Sequence, residues 1–502
     1  MKYLSTIFLI FLITSQARAI DVCKPFIAKM PIQQNGRVKP IFVHSSETIK
    51  YLTGKSKNNN MNAVENFCLL SIKSIGMSKS FDIDARIDHV QIMKLLNLKD
   101  NMHNIPYSIL TPLQDKIRVA IIGQKENNSY KKALNKVYSK INLYNDIIMG
   151  ENWKLPYWNN ESMTWIPFHE FAKEYSTSNA NILEKELSNL NQTYLTKVGD
   201  SHLLEYKYAK SRLPMISLLL TLIALAALVV RKNVTFGVLS LAVMVIIAQT
   251  IFITLRIIIS GRSPITNMYE TVLFSGYGSL VLAMIIGHLK KEKLFLFIGL
   301  SYNLCTLFML NFSYGLISGS IGPLVPVLRD NFWLSTHVTC IILSYGALAL
   351  SWVMANTVLI KNKINKITKV EVNYYSEIIY TCLKYGVILL GSGIILGGVW
   401  ADYSWGRFWG WDPKETWSLI VICIYIAILH GKYTSWISLQ RFVPLTALAF
   451  LGVMMAWFGV NYILASGLHS YGFQEGGAVF LGSFFAIQFL IVLLTTKKLK
   501  LF

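Results

Sequence analysis

The chain has 502 residues, 53% hydrophobic, 13% aromatic and only 15% charged, and its net charge is +21. Soluble domains carry about a quarter charged residues, so a single water-soluble globule is excluded. The basic excess does not read as a nucleic-acid surface. Residues 211–502 hold 21 basic and 9 acidic side chains, in short loops between long apolar runs, where they act as topology signals. No Walker loop, no G-x-G-x-x-G ahead of a helix and no H-E-x-x-H is present.

The first nineteen residues, "MKYLSTIFLIFLITSQARA", combine Lys2, an apolar core and the small-x-small end Ala17-Arg18-Ala19, and read as a cleavable signal peptide. Residues 20–211 then form an exported soluble domain of mixed α/β or α-rich fold. Cys23 and Cys68 lie in it and are candidates to pair; the other four cysteines fall in apolar helices, and there is no C-x-x-C. The stretch 142–170, with Trp153, Trp158 and Trp165, is either packed core or a partner surface.

Residues 212–502 read as an all-α polytopic membrane domain. Nine apolar segments approach the ~20 residues that a bilayer core requires: 213–230, 235–259, 268–288, 294–312, 334–360, 379–400, 416–433, 443–466 and 478–496. With the domain ahead exported, "RKN", "HLKKEK", "KNKINKITK", "HGKYTSWISLQR" and the tail "KKLKLF" lie inside, and these are the basic loops.

The stretch "WGRFWGWDPKETW" (405–417) covers most of the loop at 401–416, which is assigned to the outer side. An aromatic belt at the water boundary accounts for scattered tryptophans. A belt does not call for Gly406 and Gly410 between Trp405, Trp409 and Trp411, or for Asp412 directly behind them. Those features favour a platform for a flat ligand. His337 and His469 fall at the same depth on flanking segments, which suggests two axial ligands for haem iron. Arg407 and Lys414 either meet haem propionates or are simply solvated. Asp412 either hydrogen-bonds a ligand histidine or caps the helix that begins at Pro413. Arg256 sits near an outer helix end, where it can snorkel. Gly391, Gly393, Gly397 and Gly398 hint mildly at a flexible span. His288 reads as an ordinary interfacial residue. His430, at the inner end of the seventh span, either serves a function or faces water.

The tryptophan loop resembles the WWD signature of membrane haem-handling proteins of the CcsA (ResC) type, from the System II cytochrome c synthases. "GRSPITNMYETVLFSGYG" (261–278), "LRDNFWLSTHVTCIILSYGALALSW" (328–352), "LHGKY" (429–433) and "VNYILASGLHSYG" (460–472) agree with that family. The resemblance implies His337 and His469 as external haem ligands. It implies Trp405, Gly406, Trp409, Trp411 and Asp412 as the haem-holding loop, beside Arg407, and His430 as a transmembrane ligand during haem passage. It further implies haem b as substrate and thioether attachment to an exported apocytochrome c bearing C-x-x-C-H. A bacterial inner-membrane location, with the N-terminal domain and loop outside, also follows from it. "MPIQQNGRVKPI" (30–41) resembles part of the fused CcsB–CcsA synthases, whose additional helices bring a second intramembrane histidine. No counterpart is evident here, so a CcsB (ResB)-like subunit and thioredoxin-like reductants are the expected partners, along with the lipid bilayer and no nucleic acid. A haem exporter or chaperone without ligase activity would use the same site; a secondary transporter of another solute is the more distant alternative.

Overall fold

The computed structural model describes residues 22–496 except 59, 98–102, 125–128, 160–161, 174–179, 232–234, 314, 325–329, 366 and 465–476. The expected signal peptide lies outside the described residues. The chain divides into two compact units, Met1–Ser211 and Arg212–Phe502.

The first unit mixes short antiparallel strand pairs with helices. Strands β1 (Pro31–Gln34) and β2 (Arg37–Pro40) pair with Gln34 opposite Arg37. The turn between them, Asn35-Gly36, has φ of 50° and 77°, the left-handed backbone that a two-residue hairpin requires. This hairpin is the "MPIQQNGRVKPI" stretch, and it leads into α1 (Ile41–Thr53). Helix α2 (Ala63–Ser71) opens on a capping box between Asn62 and Glu65. It carries Cys68, which is bonded to Cys23. Trp153 is fully buried and stacks on Phe168 at 4.6 Å. Trp158 and Trp165 are half-buried and pack against Tyr194 at 6.4 and 6.1 Å. The aromatic stretch is therefore core at its first tryptophan and a packed flank at the other two.

His44, on α1, is wholly buried, with Nδ1 3.1 Å from Gln34 Oε1 and Nε2 2.7 Å from Asn152 Oδ1. Burial, reinforced by the Lys39 charge and opposed by the Asn152 bond, lowers its pKa to about 3.

In the second unit, nine helices among the described residues are long and apolar enough to cross a membrane, making this a multi-pass membrane protein. They are α3 (Leu213–Arg231), α4 (Phe236–Ser260), α5 (Met268–Lys290), α6 (Leu294–Phe312), α7 (Asn331–Asn365), α8 (Lys369–Trp405), α9 (Pro413–Tyr433), α10 (Leu439–Leu464) and α11 (Gly477–Thr496). Helices α7 and α10 are the most buried, and α9 and α11 the least. Helix α7 packs along α8, and also against α5, α10 and α11.

Polar side chains hold the spans together. Gln249 and Asn303 exchange side-chain bonds of 2.9 and 3.1 Å between α4 and α6. Gln488 of α11 accepts from Trp352 Nε1 of α7 at 2.7 Å. Such bonds link membrane helices that hydrophobicity alone cannot sort.

The sixth span differs most from its sequence reading. Helix α8 has 37 residues, about 55 Å at 1.5 Å per residue, well beyond the ~30 Å bilayer core. A Thr368–Glu371 capping box starts it, ten residues before the apolar run begins. It continues through Trp405, so the loop expected over 401–416 shrinks to 406–412. Hydropathy detects the membrane-embedded part of a helix and misses its polar extensions.

Candidate functional site

His337 lies on a π-helical stretch, Leu334–Val338, near the start of α7. Its Nδ1 is 2.8 Å from the carbonyl oxygen of Gly393 on α8. A carbonyl only accepts, so Nδ1 carries the proton and the lone pair of the neutral ring resides on Nε2, the tautomer a metal ligand needs. The ring rests on Gly397, where an added methyl carbon would fall 2.5 Å from His337 Cε1. Gly386, Gly393 and Gly397 meet Leu348, Ile341 and His337 in reverse order, as antiparallel helices must. These glycines form a close-packed seam that seats the histidine. Gly398 likewise accommodates Phe408, whose Cζ would be 2.5 Å from an added methyl carbon. Close packing therefore replaces the hint of flexibility at Gly393, Gly397 and Gly398.

His337 lines an apolar pocket together with Ile265, Val338, Trp400 and Lys414. Its ring centroid is 5.8 Å from that of Trp400. Trp457 and Asn461, from a second π-helical stretch (Met455–Leu464) at the end of α10, line the same pocket. π-Helical insertions are rare and frequently mark functional sites.

The wall at 265–271 is fixed by a buried ion pair. Arg256 Nε donates to Glu270 Oε1 at 2.6 Å, and both side chains are 1% exposed. Arg256 Nη1 also donates to the Gly319 carbonyl at 2.9 Å, and its guanidinium lies 5.2 Å from the Tyr269 ring centroid. Glu270 Oε2 accepts from the backbone nitrogen and Oγ1 of Thr266 at 2.8 and 2.7 Å. The snorkelling expected of Arg256 does not occur, because a carboxylate and carbonyls compensate the charge inside the bundle. Charges of both signs within "LRIIISGRSPITNMYE" were the available signal.

The tryptophan loop joins two residues of the pocket wall, since Trp400 precedes it on α8 and Lys414 follows it on α9. Gly406 ends α8 with φ of 67°, and its nitrogen donates to the Asp402 carbonyl at 2.8 Å. The guanidinium of Arg407 lies over Gly410, in the space a side chain there would take. Trp409 and Trp411 meet edge to face at 6.0 Å. Trp411 is 69% exposed and holds a left-handed φ of 55°, which is unusual for a bulky residue. Asp412 is buried and caps α9: its Oδ1 accepts from the Lys414 nitrogen at 2.9 Å. Glu415 Oε2 accepts from the nitrogens of Gly410 and Asp412 at 2.8 and 3.1 Å. Of the two roles open to Asp412, the cap is observed, and the Nδ1 proton of His337 goes to the Gly393 carbonyl.

The predicted site residues are therefore only partly assembled. His337 and Lys414 share the pocket, whereas Trp405 ends α8, Trp409 and Trp411 belong to the adjoining loop and Arg407 packs within it. His430 is exposed and lies 17 residues along α9 from Pro413, about 25 Å away. It shares the outward face of α9 with Leu419, Cys423 and Ile426. His469 lies outside the described residues. Sequence reasoning missed Trp400, Asn461 and the Arg256–Glu270 pair.

A sequence profile described as "Cytochrome C assembly protein" matches residues 265–469, from the ion-pair wall through His337 and the loop to His469. Cytochrome c biogenesis protein CcsA of Guillardia theta is 35% identical over 268 residues, covering 48% of this chain and 87% of that protein. The CcsA of Prochlorococcus marinus (strain MIT 9301) is 30% identical over 276 residues, 49% of this chain and 88% of its own length. Protein NrfI of Wolinella succinogenes is 34% identical over 228 residues, which are 44% of this chain and 25% of that protein. With the helical bundle and the tryptophan loop described above, these likenesses settle the family: the chain belongs to the CcsA-type cytochrome c biogenesis proteins.

Proposed function

We propose that the chain binds haem b as a substrate and acts as the haem-handling part of a haem lyase, a holocytochrome c synthase. The observation that carries this reading is His337: a histidine held in the ligand tautomer by Gly393, seated on Gly397 and lining an apolar pocket beside a tryptophan-rich loop. His469 is the second axial ligand, and bis-histidine ligation leaves no open position for oxygen. Trp405, Gly406, Trp409, Trp411, Asp412 and Arg407 form the loop that holds the disc.

The loop lies on the outer face of the bacterial inner membrane, in keeping with the basic loops assigned to the opposite side. An exported apocytochrome c brings the two thiols of C-x-x-C-H to the haem vinyls. Each S–H adds across a C=C bond, sulfur to one carbon and hydrogen to the other, with no net gain or loss of electrons. Holding the two reactants in register can contribute about 7–11 kcal/mol. The cysteines must arrive reduced, which calls for thioredoxin-like partners. Haem reaches this site from the inner side by way of His430, whose outward placement on α9 suits completion by a CcsB/ResB-like subunit.

The test is an absorption spectrum of the detergent-purified protein beside its His337→Ala/His469→Ala variant. A reduced bis-histidine haem spectrum that vanishes in the variant is expected. Full haem loading by the variant would refute the ligand assignment.

A further inference from the structure

Within the tryptophan loop, Trp411 has the least expected conformation. Its φ of 55° is left-handed, a region that glycine enters freely and a residue with a Cβ enters at a cost. Its ring is nevertheless 69% exposed, so no buried packing holds it there. Such a conformation persists only where its surroundings over-determine it, and the same short stretch supplies them. Glu415 Oε2 accepts from the nitrogens of Gly410 and Asp412 at 2.8 and 3.1 Å, the two amides on either side of Trp411. The capping box at the start of α9 requires only the second of these. The first reaches back across Trp411, and the left-handed turn is what aims both N–H groups at one anion. Thr416 Oγ1 donates to the Trp411 carbonyl at 3.4 Å, so the backbone of this residue is held on both sides. Glu415 Oε1 is buried and takes no hydrogen bond among the described residues, which leaves the carboxylate committed to the loop backbone. Trp409 meets the displayed indole edge to face at 6.0 Å.

We infer that Glu415 is the positioning residue of the tryptophan loop. By gripping the two amides that flank Trp411, it holds that indole outward, paired with Trp409, as an apolar face for the flat ligand. The ligand named here rests on the haem reading above, which this inference deepens. Glu415 acts on the backbone, so its removal is felt through Trp411. A tryptophan of an interfacial belt anchors a helix end and needs neither a left-handed backbone nor a carboxylate to impose one.

The test labels the full-length, detergent-purified chain with fluorotryptophan and assigns the Trp411 fluorine resonance by its disappearance in Trp411→Phe. In Glu415→Ala this resonance should move. In Glu415→Gln it should return toward its wild-type position, because the amide oxygen accepts the same two N–H groups. Titrated with ferric haem, Trp411→Ala and Glu415→Ala should each lose affinity ~2–10-fold, as for one aromatic contact, and the double variant should lose no more than either. An unmoved Trp411 resonance in Glu415→Ala overturns the clamp, whether or not haem binds. Additive losses in the double variant overturn it as well, since residues that act independently add. No haem binding by wild type, with the resonance moving as expected, overturns the haem reading and the ligand named here and upholds the clamp. Should Glu415→Ala fail to fold, Trp411→Gly decides: glycine takes the left-handed turn without strain, so the melting temperature should hold while haem affinity falls ~2–10-fold. An unchanged affinity in that variant overturns the display of Trp411.

Discussion

His337 and His430 are the same residue type in the same membrane unit, and they stand in opposite conditions. His337 is gripped: its Nδ1 proton goes to a backbone carbonyl, its ring rests on a glycine, and its pocket is lined by two π-helical stretches and by a 265–271 wall that a buried ion pair fixes. His430 is presented on the outward face of α9, and its carbonyl accepts from the backbone nitrogen and Oγ1 of Thr434 at 2.8 and 2.9 Å. The difference teaches that one chain can fix the tautomer and orientation of a histidine at one end of the bundle. At the other end, the chain leaves a histidine side chain exposed on the outward face of α9.

The contrast can be broken most decisively by expressing the chain without a CcsB-like protein. No matured cytochrome c is expected, as judged by covalent haem staining of a C-x-x-C-H reporter. A robust yield would show that His430 needs no partner. Next in size, His337→Ala should lower haem affinity at the pocket by at least ~100-fold, with partial rescue by added imidazole. His430→Ala should leave haem binding at that pocket unchanged; equal losses in the two variants would erase the distinction.

Gly397→Ala probes the grip itself. The added methyl carbon would fall 2.5 Å from the His337 ring, so the haem spectrum should shift toward that of His337→Ala. Gly391→Ala meets only Ile422 Cδ1 at 3.4 Å and should retain the wild-type spectrum.

A third histidine, His44 in the other unit, separates burial from ligation. Its pKa falls from 6.5 to about 3 on folding, so between those values the unfolded chain binds a proton that the folded one does not. Stability is full above pH 6.5 and falls as the pH drops toward 3, by about 1.4 kcal/mol per unit. Acidification from pH 7 to 5 should therefore cost about 2 kcal/mol, followed by limited proteolysis of the first unit. His44→Gln should flatten that dependence without altering haem binding.

The smallest effect is expected at Asp412. Asp412→Ala removes a helix cap and should cost about 1 kcal/mol of thermal stability, and Asp412→Asn much less, because asparagine caps nearly as well. Loss of haem with Asp412→Asn would return the residue to a role beside a ligand.

The membrane unit was legible because apolar length, basic loops and turn residues are local properties. All nine spans appear, and the errors lie at polar extensions such as residues 369–378, where hydropathy is silent. The hairpin at Asn35-Gly36 went unread, although a left-handed two-residue turn favours those residue types. His337 and the loop were legible as a motif, and their relation to each other was not. That Trp400 shares a wall with His337, that Arg256 pairs with Glu270 instead of reaching water, and that Lys414 faces the pocket while Arg407 does not all depend on which helices meet.

Residue type and spacing by themselves determined the nine membrane-spanning helices of the described residues, a separate unit before them in the chain and an aromatic loop between the sixth and seventh spans. The tertiary structure alone decided which histidine is held and which is displayed. The physical reason is that a glycine reads as freedom within one helix and becomes a seat once a second helix packs against it. Likewise, a buried charge or an indole N–H has meaning only through the groups that surround it.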